Sequence, residues 1–254
     1  MGAIVRRVLV AATLLGSAFA CATPAVAPAA PWGHAMPART ARAKPAFPPG
    51  TYGIATVRSD WFLDLWSGPS ISSRYLGTLW PRGQLDAPTS LSVLAVRGDW
   101  VEGLSASRQS GGPSWLENRP VWVPREEVIL TSTPYRIDVS ISAHRLTLTR
   151  VGRAVKTWVV GVGAPSSPTP TGRFVLIEKL PGPPFGPAYG CCMLGLSVMQ
   201  DRGSLAGGQI AIHGTNSPST IGANVSNGCV HGTAGMLREL LRLVPLGAPV
   251  YIRR

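Results

Sequence analysis

The sequence predicts a mainly β protein: a small β-barrel followed by a second β-rich domain with one C-terminal helix. Three observations point there. The 254 residues include 29 Gly and 24 Pro but only 14% charged residues, a balance that favours short strands and turns over long surface helices. Short alternating apolar runs recur from Thr51 onward between turn signals. A helical stripe occurs near the C terminus, after residue 233. With 45% hydrophobic residues the chain is not wholly disordered, and its length fits one or two domains of roughly 100–200 residues. Twelve acidic residues against 24 basic ones give a net charge of +12. That field favours polyanionic surroundings such as nucleic acid, anionic lipid or an anionic cell wall, without choosing among them.

Residues 1–27 read as a secretory signal peptide. Arg6 and Arg7 precede an uncharged apolar run from Val8 to Ala22, and Ala25-Val26-Ala27 has the small-x-small form of a cleavage site. The run is shorter than the roughly 20 residues of a membrane span, and removal through Ala27 leaves the chain strongly basic. Cys21 offers another outcome, lipidation, and membrane contact is expected only if that occurs. Residues 28–50 are rich in Ala and Pro, carry Arg39, Arg42 and Lys44, and lack acids, which makes them a basic linker.

From 51 to 131 the strand candidates are 52–57, 63–66, 91–96, 100–104 and 121–123, divided by Gly68-Pro69, Pro81-Arg82-Gly83 and Gly98-Asp99. About five short strands suit a small barrel. The Arg97-Gly98-Asp99-Trp100-Val101 hairpin and the later Val121-Trp122-Val123-Pro124 loosely resemble a bacterial SH3-type domain. Six tryptophans (Trp61, Trp66, Trp80, Trp100, Trp115, Trp122) are assigned to core and rim packing rather than to a ligand groove.

Residues 135–254 form the second unit. Alternation marks strands at 137–141, 144–148, 155–161 and 172–178, with a rigid turn at Pro168-Thr169-Pro170-Thr171-Gly172. The Gly/Pro-rich stretch from Pro181 to Gly190 reads as a long loop of the kind that covers a site. Thr233 caps a helix over 234–244, whose stripe is Met236, Leu237, Leu240, Leu241 and Val244. Pro245 and Gly247 stop it before a last strand at 249–252.

The chemistry gathers between these elements. Strand-like Gln209 to His213 ends in Gly214-Thr215, and Ser226-Asn227-Gly228-Cys229 follows. A nucleophilic thiol needs a base and a backbone able to hold an oxyanion. His213 can take the thiol proton, and Gly228 lets the chain bend so that nearby amides point at the developing charge. Such a pair suits acyl transfer, although one Cys and one His at this spacing is a weak signal alone.

The full strings IHGTNSPSTIG (212–222) and SNGCV (226–230) closely resemble the active-site signature of the YkuD-type L,D-transpeptidases. The resemblance extends to Val162-Gly163, PTPTG (168–172), Phe174 and LGLS (194–197), and so covers nearly all of 135–254. It implies a catalytic domain in which Cys229 is the nucleophile, His213 its base, and Ser226 and Gly228 shape the site. Gly214, Thr215, Tyr189, Asn227 and His231 are expected to line the substrate-binding region. The implied reaction is attack on the third residue of a tetrapeptide stem, loss of D-Ala, and transfer of the acyl group to a second stem to give a 3→3 cross-link. Neither metal nor organic cofactor is implied. The partners are peptidoglycan stem peptides and anionic cell-wall polymers rather than nucleic acid, in an exported protein of the wall or a periplasm-like space. Rival readings are an L,D-carboxypeptidase, which gives the same thioester to water, and a non-catalytic wall-binding protein.

Two positions depart from the pattern. Many members have His where this chain has Asn227, and Arg or Asn is common where this chain has His231. If His231 contacts a substrate carboxylate, binding weakens as pH rises. Cys191 and Cys192 are expected to be small buried thiols, since adjacent cysteines bond only in a strained turn; a disulfide to another protein or copy, or one from either to Cys229, which would silence the thiol, are the alternatives.

Overall fold

The fold is described by a computed structural model over residues 47–58, 62–107, 109–200 and 208–254. The expected signal peptide, Cys21, most of the linker and Trp61 lie outside these residues. The described residues form one compact unit built on a seven-stranded and an eight-stranded sheet, with a two-stranded ribbon beside the second.

The first sheet holds β1 (Tyr52–Val57), β2 (Leu63–Trp66), β3 (Tyr75–Leu79), β4 (Ser90–Arg97), β5 (Trp100–Leu104), β6 (Pro120–Pro124) and β7 (Val128–Thr133). All its pairs are antiparallel, in the order β3-β2-β6-β5-β4-β1-β7. Five of these strands match the expected runs, and β3 and β7 are additional. Arg97 pairs with Trp100, so Gly98 and Asp99 make a two-residue hairpin loop whose Gly98 takes a φ of 55°. Alternation buries Leu63 and Leu65 and leaves Asp64 and Trp66 part-exposed. The core is aliphatic: Leu79, Leu91, Val101, Val121 and Val123 join those leucines. Among the described tryptophans Trp122 is buried, while Trp80 and Trp115 are exposed and Trp66 lies edge-on to Tyr75 and Trp100.

The second half contains β8 (Tyr135–Ser140), β9 (Arg145–Arg150), β10 (Arg153–Val159), β11 (Val162–Gly163), β12 (Gly172–Pro181), β13 (Cys192–Met199), β14 (Gln209–His213), β15 (Asn224–Ser226), β16 (Val230–His231), α1 (Ala234–Leu243) and β17 (Pro249–Arg253). Eight of the strands form a sheet in the order β10-β9-β8-β17-β12-β13-β14-β16, and β11 pairs with β15 beside it. His144 does not open a strand as expected. It sits in the turn before β9 with a φ of 48°. The helix forms as expected: the Thr233 hydroxyl accepts the Met236 N–H at 3.2 Å, and Met236, Leu237 and Leu240 are buried.

Alternation in β13, β14 and β16 positions the site. Leu194, Leu196, Ile210, Ile212 and Val230 join the residues of α1 in one core. The residues between them, Gly195, Ala211, His213 and His231, line a cleft instead, as does Cys229 just before β16. The two sheets meet through Leu104, Ala106, Val175 and Ile177, and the Arg136 guanidinium donates to the Tyr52 hydroxyl at 3.0 Å. Among the described residues no helix is long and apolar enough to cross a membrane.

Candidate active site

A cleft of about 560 Å³ opens over the end of the second sheet. Strands β14 and β16 are parallel, with Ile212 opposite Val230 and His213 opposite His231. Continuing that register sets Cys229 beside Ala211, and the Ala211 N–H indeed donates to the Cys229 sulfur at 3.4 Å. His213 lies two residues further along the same face, diagonal to the thiol.

The His213 ring is buried, at 5% exposure. Its Nδ1 lies 2.5 Å from the Gly214 carbonyl oxygen. A carbonyl only accepts, so Nδ1 carries the proton and Nε2 keeps its lone pair for a proton from substrate or thiol. Burial lowers the His213 pKa to about 4, the Gly214 carbonyl opposes that shift, and neighbouring His231 adds to it. Burial also pushes the Cys229 thiol up, partly offset by the Ala211 amide. The pair therefore rests as neutral thiol and neutral imidazole at pH 7.

The turn before Cys229 is held from behind. The Ser226 hydroxyl donates to the Cys229 carbonyl at 2.6 Å and accepts the Gly228 N–H at 3.1 Å. Gly228 has a φ of 110°, and a Cβ there would come within 2.5 Å of Gln200 Nε2 and 2.8 Å of Ile210 Cδ1. The Gly228 amide is thus engaged by Ser226, and Ser226 and Gly228 serve the turn that presents the thiol.

The loop expected over 181–190 forms two short 3₁₀ turns, Pro183–Phe185 and Pro187–Tyr189. It sets the Tyr189 ring 5.0 Å from that of His213. Thr215, Asn227, Tyr189 and His231 all line the cleft, and Gly214 lies behind it against Gly190. The His231 ring is 4.7 Å from His213, its Nδ1 is buried without a hydrogen bond, and burial lowers its pKa. It is uncharged at neutral pH and supplies no cation for a carboxylate there.

One expectation is corrected. Cys191 and Cys192 are bonded to each other as a vicinal disulfide rather than being free thiols, and Cys229 is the free cysteine among the described residues. The Gly182 N–H donates to the Cys191 carbonyl and the Gly214 N–H to that of Cys192, so the pair is tied to both the covering loop and the His213 turn. No group of three His, Cys, Asp or Glu gathers as a metal site among the described residues.

Residues 134–252 match the L,D-transpeptidase catalytic domain model, YkuD. The chain is 41% identical over 123 residues to a protein of Bacillus subtilis (strain 168) named as the L,D-transpeptidase YkuD, covering 48% of this chain and 67% of that protein. This chain belongs to the YkuD-type L,D-transpeptidase family. A YkuD protein of Bacillus licheniformis is 39% identical over 119 residues, covering 47% of this L,D-transpeptidase and 66% of that protein, so the chain spans about two thirds of the relatives it matches. Among solved structures, an L,D-transpeptidase from Mycobacterium smegmatis aligns with a TM-score of 0.40 and 20% identity, covering 66% of this chain and 92% of that one. Bd1075 of Bdellovibrio bacteriovorus aligns with a TM-score of 0.39 and 22% identity over 48% of each chain.

Several cleft residues escaped the sequence reading. Gln200 donates to Ser167 Oγ, to the Pro168 carbonyl and to the Asn227 carbonyl, cross-bracing the turn. Ala211, Glu178 and Gln209 face the cleft, and Leu85 reaches it from the first sheet's side. These belong to no local motif; strand register and the meeting of the two halves bring them in.

Proposed function

We propose that this L,D-transpeptidase is exported and forms 3→3 cross-links between peptidoglycan stems through a thioester on Cys229. The carrying observation is the His213 tautomer: its Nδ1 is committed to Gly214, and its free Nε2 belongs to the face that bears the thiol. In the first step the Cys229 sulfur attacks the carbonyl of the third stem residue as its proton passes to His213 Nε2. Because the thiol is pushed up and the imidazole down, that transfer accompanies attack rather than preceding it. The tetrahedral intermediate collapses, His213 returns the proton to the departing D-Ala amine, and the thioester remains. The amine of a second stem then attacks, giving its proton to His213, and Cys229 leaves as the thiol. The net charge of +12 supports attraction to an anionic wall. Residues 1–27 are read as the export signal, with retention through a lipidated Cys21 as the other outcome.

Incubation of the 28–254 chain with purified disaccharide-tetrapeptide, beside Cys229→Ala, tests the reading by mass spectrometry. A dimer lacking one D-Ala, absent with the variant, is expected. Tripeptide monomer alone would move the assignment to carboxypeptidase, and unchanged substrate would leave a wall-binding role.

A further inference from the structure

Glu178 is a buried carboxylate in the cleft that the proposed chemistry leaves unused. It is 3% exposed, and among the described residues no lysine, arginine or histidine forms an ion pair with it. The Gln209 side-chain amide donates to its Oε2 at 3.1 Å, which orients the group without neutralising it. A desolvated carboxylate held by one neutral donor is an expensive arrangement, and a cation arriving beside it relieves the expense.

Register says where such a cation would come from. Glu178 pairs with Gly195 across β12 and β13, Gly195 pairs with Ala211 across β13 and β14, and Ala211 donates to Cys229. The register shift between Leu176 and Glu178 brings the Glu178 side chain onto the face of Gly195. A Cβ on Gly195 would lie 2.8 Å from both Glu178 Oε2 and Gln209 Nε2, so the carboxylate leans over Gly195 toward the thiol. Between nucleophile and carboxylate lies Ala211, whose small side chain leaves a trough that ends where the Gln209 amide and the Glu178 carboxylate lie over Gly195. From the Cys229 row to the Gly195 row is two strand spacings, roughly 10 Å. With the reacting carbonyl about 3 Å from the thiol, the remaining span suits a side chain that carries an ammonium on a stem of three or four carbons.

We infer that Glu178, at the far end of the trough floored by Ala211, binds the side-chain ammonium of a basic third residue in the acyl-donor stem. The inference rests on the acyl-transfer reading above and adds to it a selective donor site. Gln209 is a positioning residue here, since it acts through the carboxylate.

The test compares two tetrapeptide donors, one with a free third-residue side-chain amine and one with that amine acetylated, on the 28–254 chain and on Glu178→Gln. Wild type is expected to favour the free amine. Glu178→Gln should lower kcat/KM for the free amine roughly 10- to 100-fold, the range for a charged hydrogen bond lost from a desolvated site, while leaving the acetylated donor within about 2-fold. Glu178→Asp, which keeps the charge, should retain part of the preference and guards against a glutamine variant that fails to fold. Equal loss on both donors, or a preference that survives in Glu178→Gln, overturns the inference. A wild type that consumes both donors equally overturns it while leaving the acyl-transfer reading intact. A wild type that consumes neither overturns both.

Discussion

Acid should destabilise this fold through His213, and the size follows from its burial. In the folded chain its pKa is about 4, against 6.5 for an ordinary histidine in the unfolded chain. Between those values the unfolded chain takes up a proton that the folded chain refuses. The imidazole therefore imposes no penalty well above pH 6.5, a growing one as pH falls through that value, and a constant one below about 4. At ~1.36 kcal/mol per pKa unit the full penalty is about 3 kcal/mol, and the part reached at pH 5 is about 2 kcal/mol. For a chain of this size that corresponds to a Tm drop of roughly 4–8 °C between pH 7 and pH 5. Thermal melts of wild type and His213→Gln at both pH values isolate the term, since the variant keeps polarity but does not titrate. Glu178 and Glu127, whose pKa values are raised by burial, act in the opposite direction in both chains and cancel. Equal Tm losses in the two proteins would refute the reasoning.

Other outcomes follow from the same geometry. Acylation of Cys229 should keep its rate down to about pH 5 and fall below it as the His213 Nε2 lone pair is protonated near pH 4, which a stopped-time mass assay across pH 3.5–8 would reveal as a single acid limb. His231→Asn should leave the profile above pH 6.5 unchanged, because His231 is uncharged there, and a loss of pH dependence between 6.5 and 8 would restore a charged role for it. Gly228→Ala puts a side chain at a φ of 110° against Gln200 and Ile210; a loss of about 1–3 kcal/mol in urea unfolding is expected, with kcat falling further as the thiol is displaced. Thr233→Ala removes the cap of α1 and should lower stability by about 1 kcal/mol in the same experiment without changing the acid limb.

The sequence exposes those parts of the fold in which a local pattern carries the information. The hairpin around Gly98-Asp99 and the capped helix after Thr233 are legible because turn chemistry and period are written within a dozen residues. Strand β3 is harder to see: Tyr75-Leu76-Gly77-Thr78-Leu79 carries a glycine at a φ of 138° in its middle, and its alternation is faint. Strand β7 exposes Ile129 and buries Thr133, so its apolar period is weak. At the site, Cys229 and His213 stand out by motif, since the proposed chemistry needs those residue types. Glu178, Gln209 and Ala211 become part of the site only once β12, β13, β14 and the turn before β16 are laid side by side, and register is a long-range property. The Cys191–Cys192 bond also lay beyond the pattern, because adjacency in sequence disfavours it and only the anchored turn around it supplies the geometry.

The matching region begins at residue 134, yet the enzyme half does not carry all of its own walls. Leu85 edges the cleft, and Leu104 and Ala106 cover Val175 and Ile177 on β12, the strand that also bears Glu178. A cut at the boundary between the halves would therefore strip shelter from the strand that ends the trough, leaving apolar residues wet and the carboxylate hydrated. If Glu178 binds the donor's ammonium as inferred, the amino-terminal sheet takes part in substrate selection as well as adjoining the cleft, and residues 134–254 expressed alone should discriminate less between the free and acetylated donors.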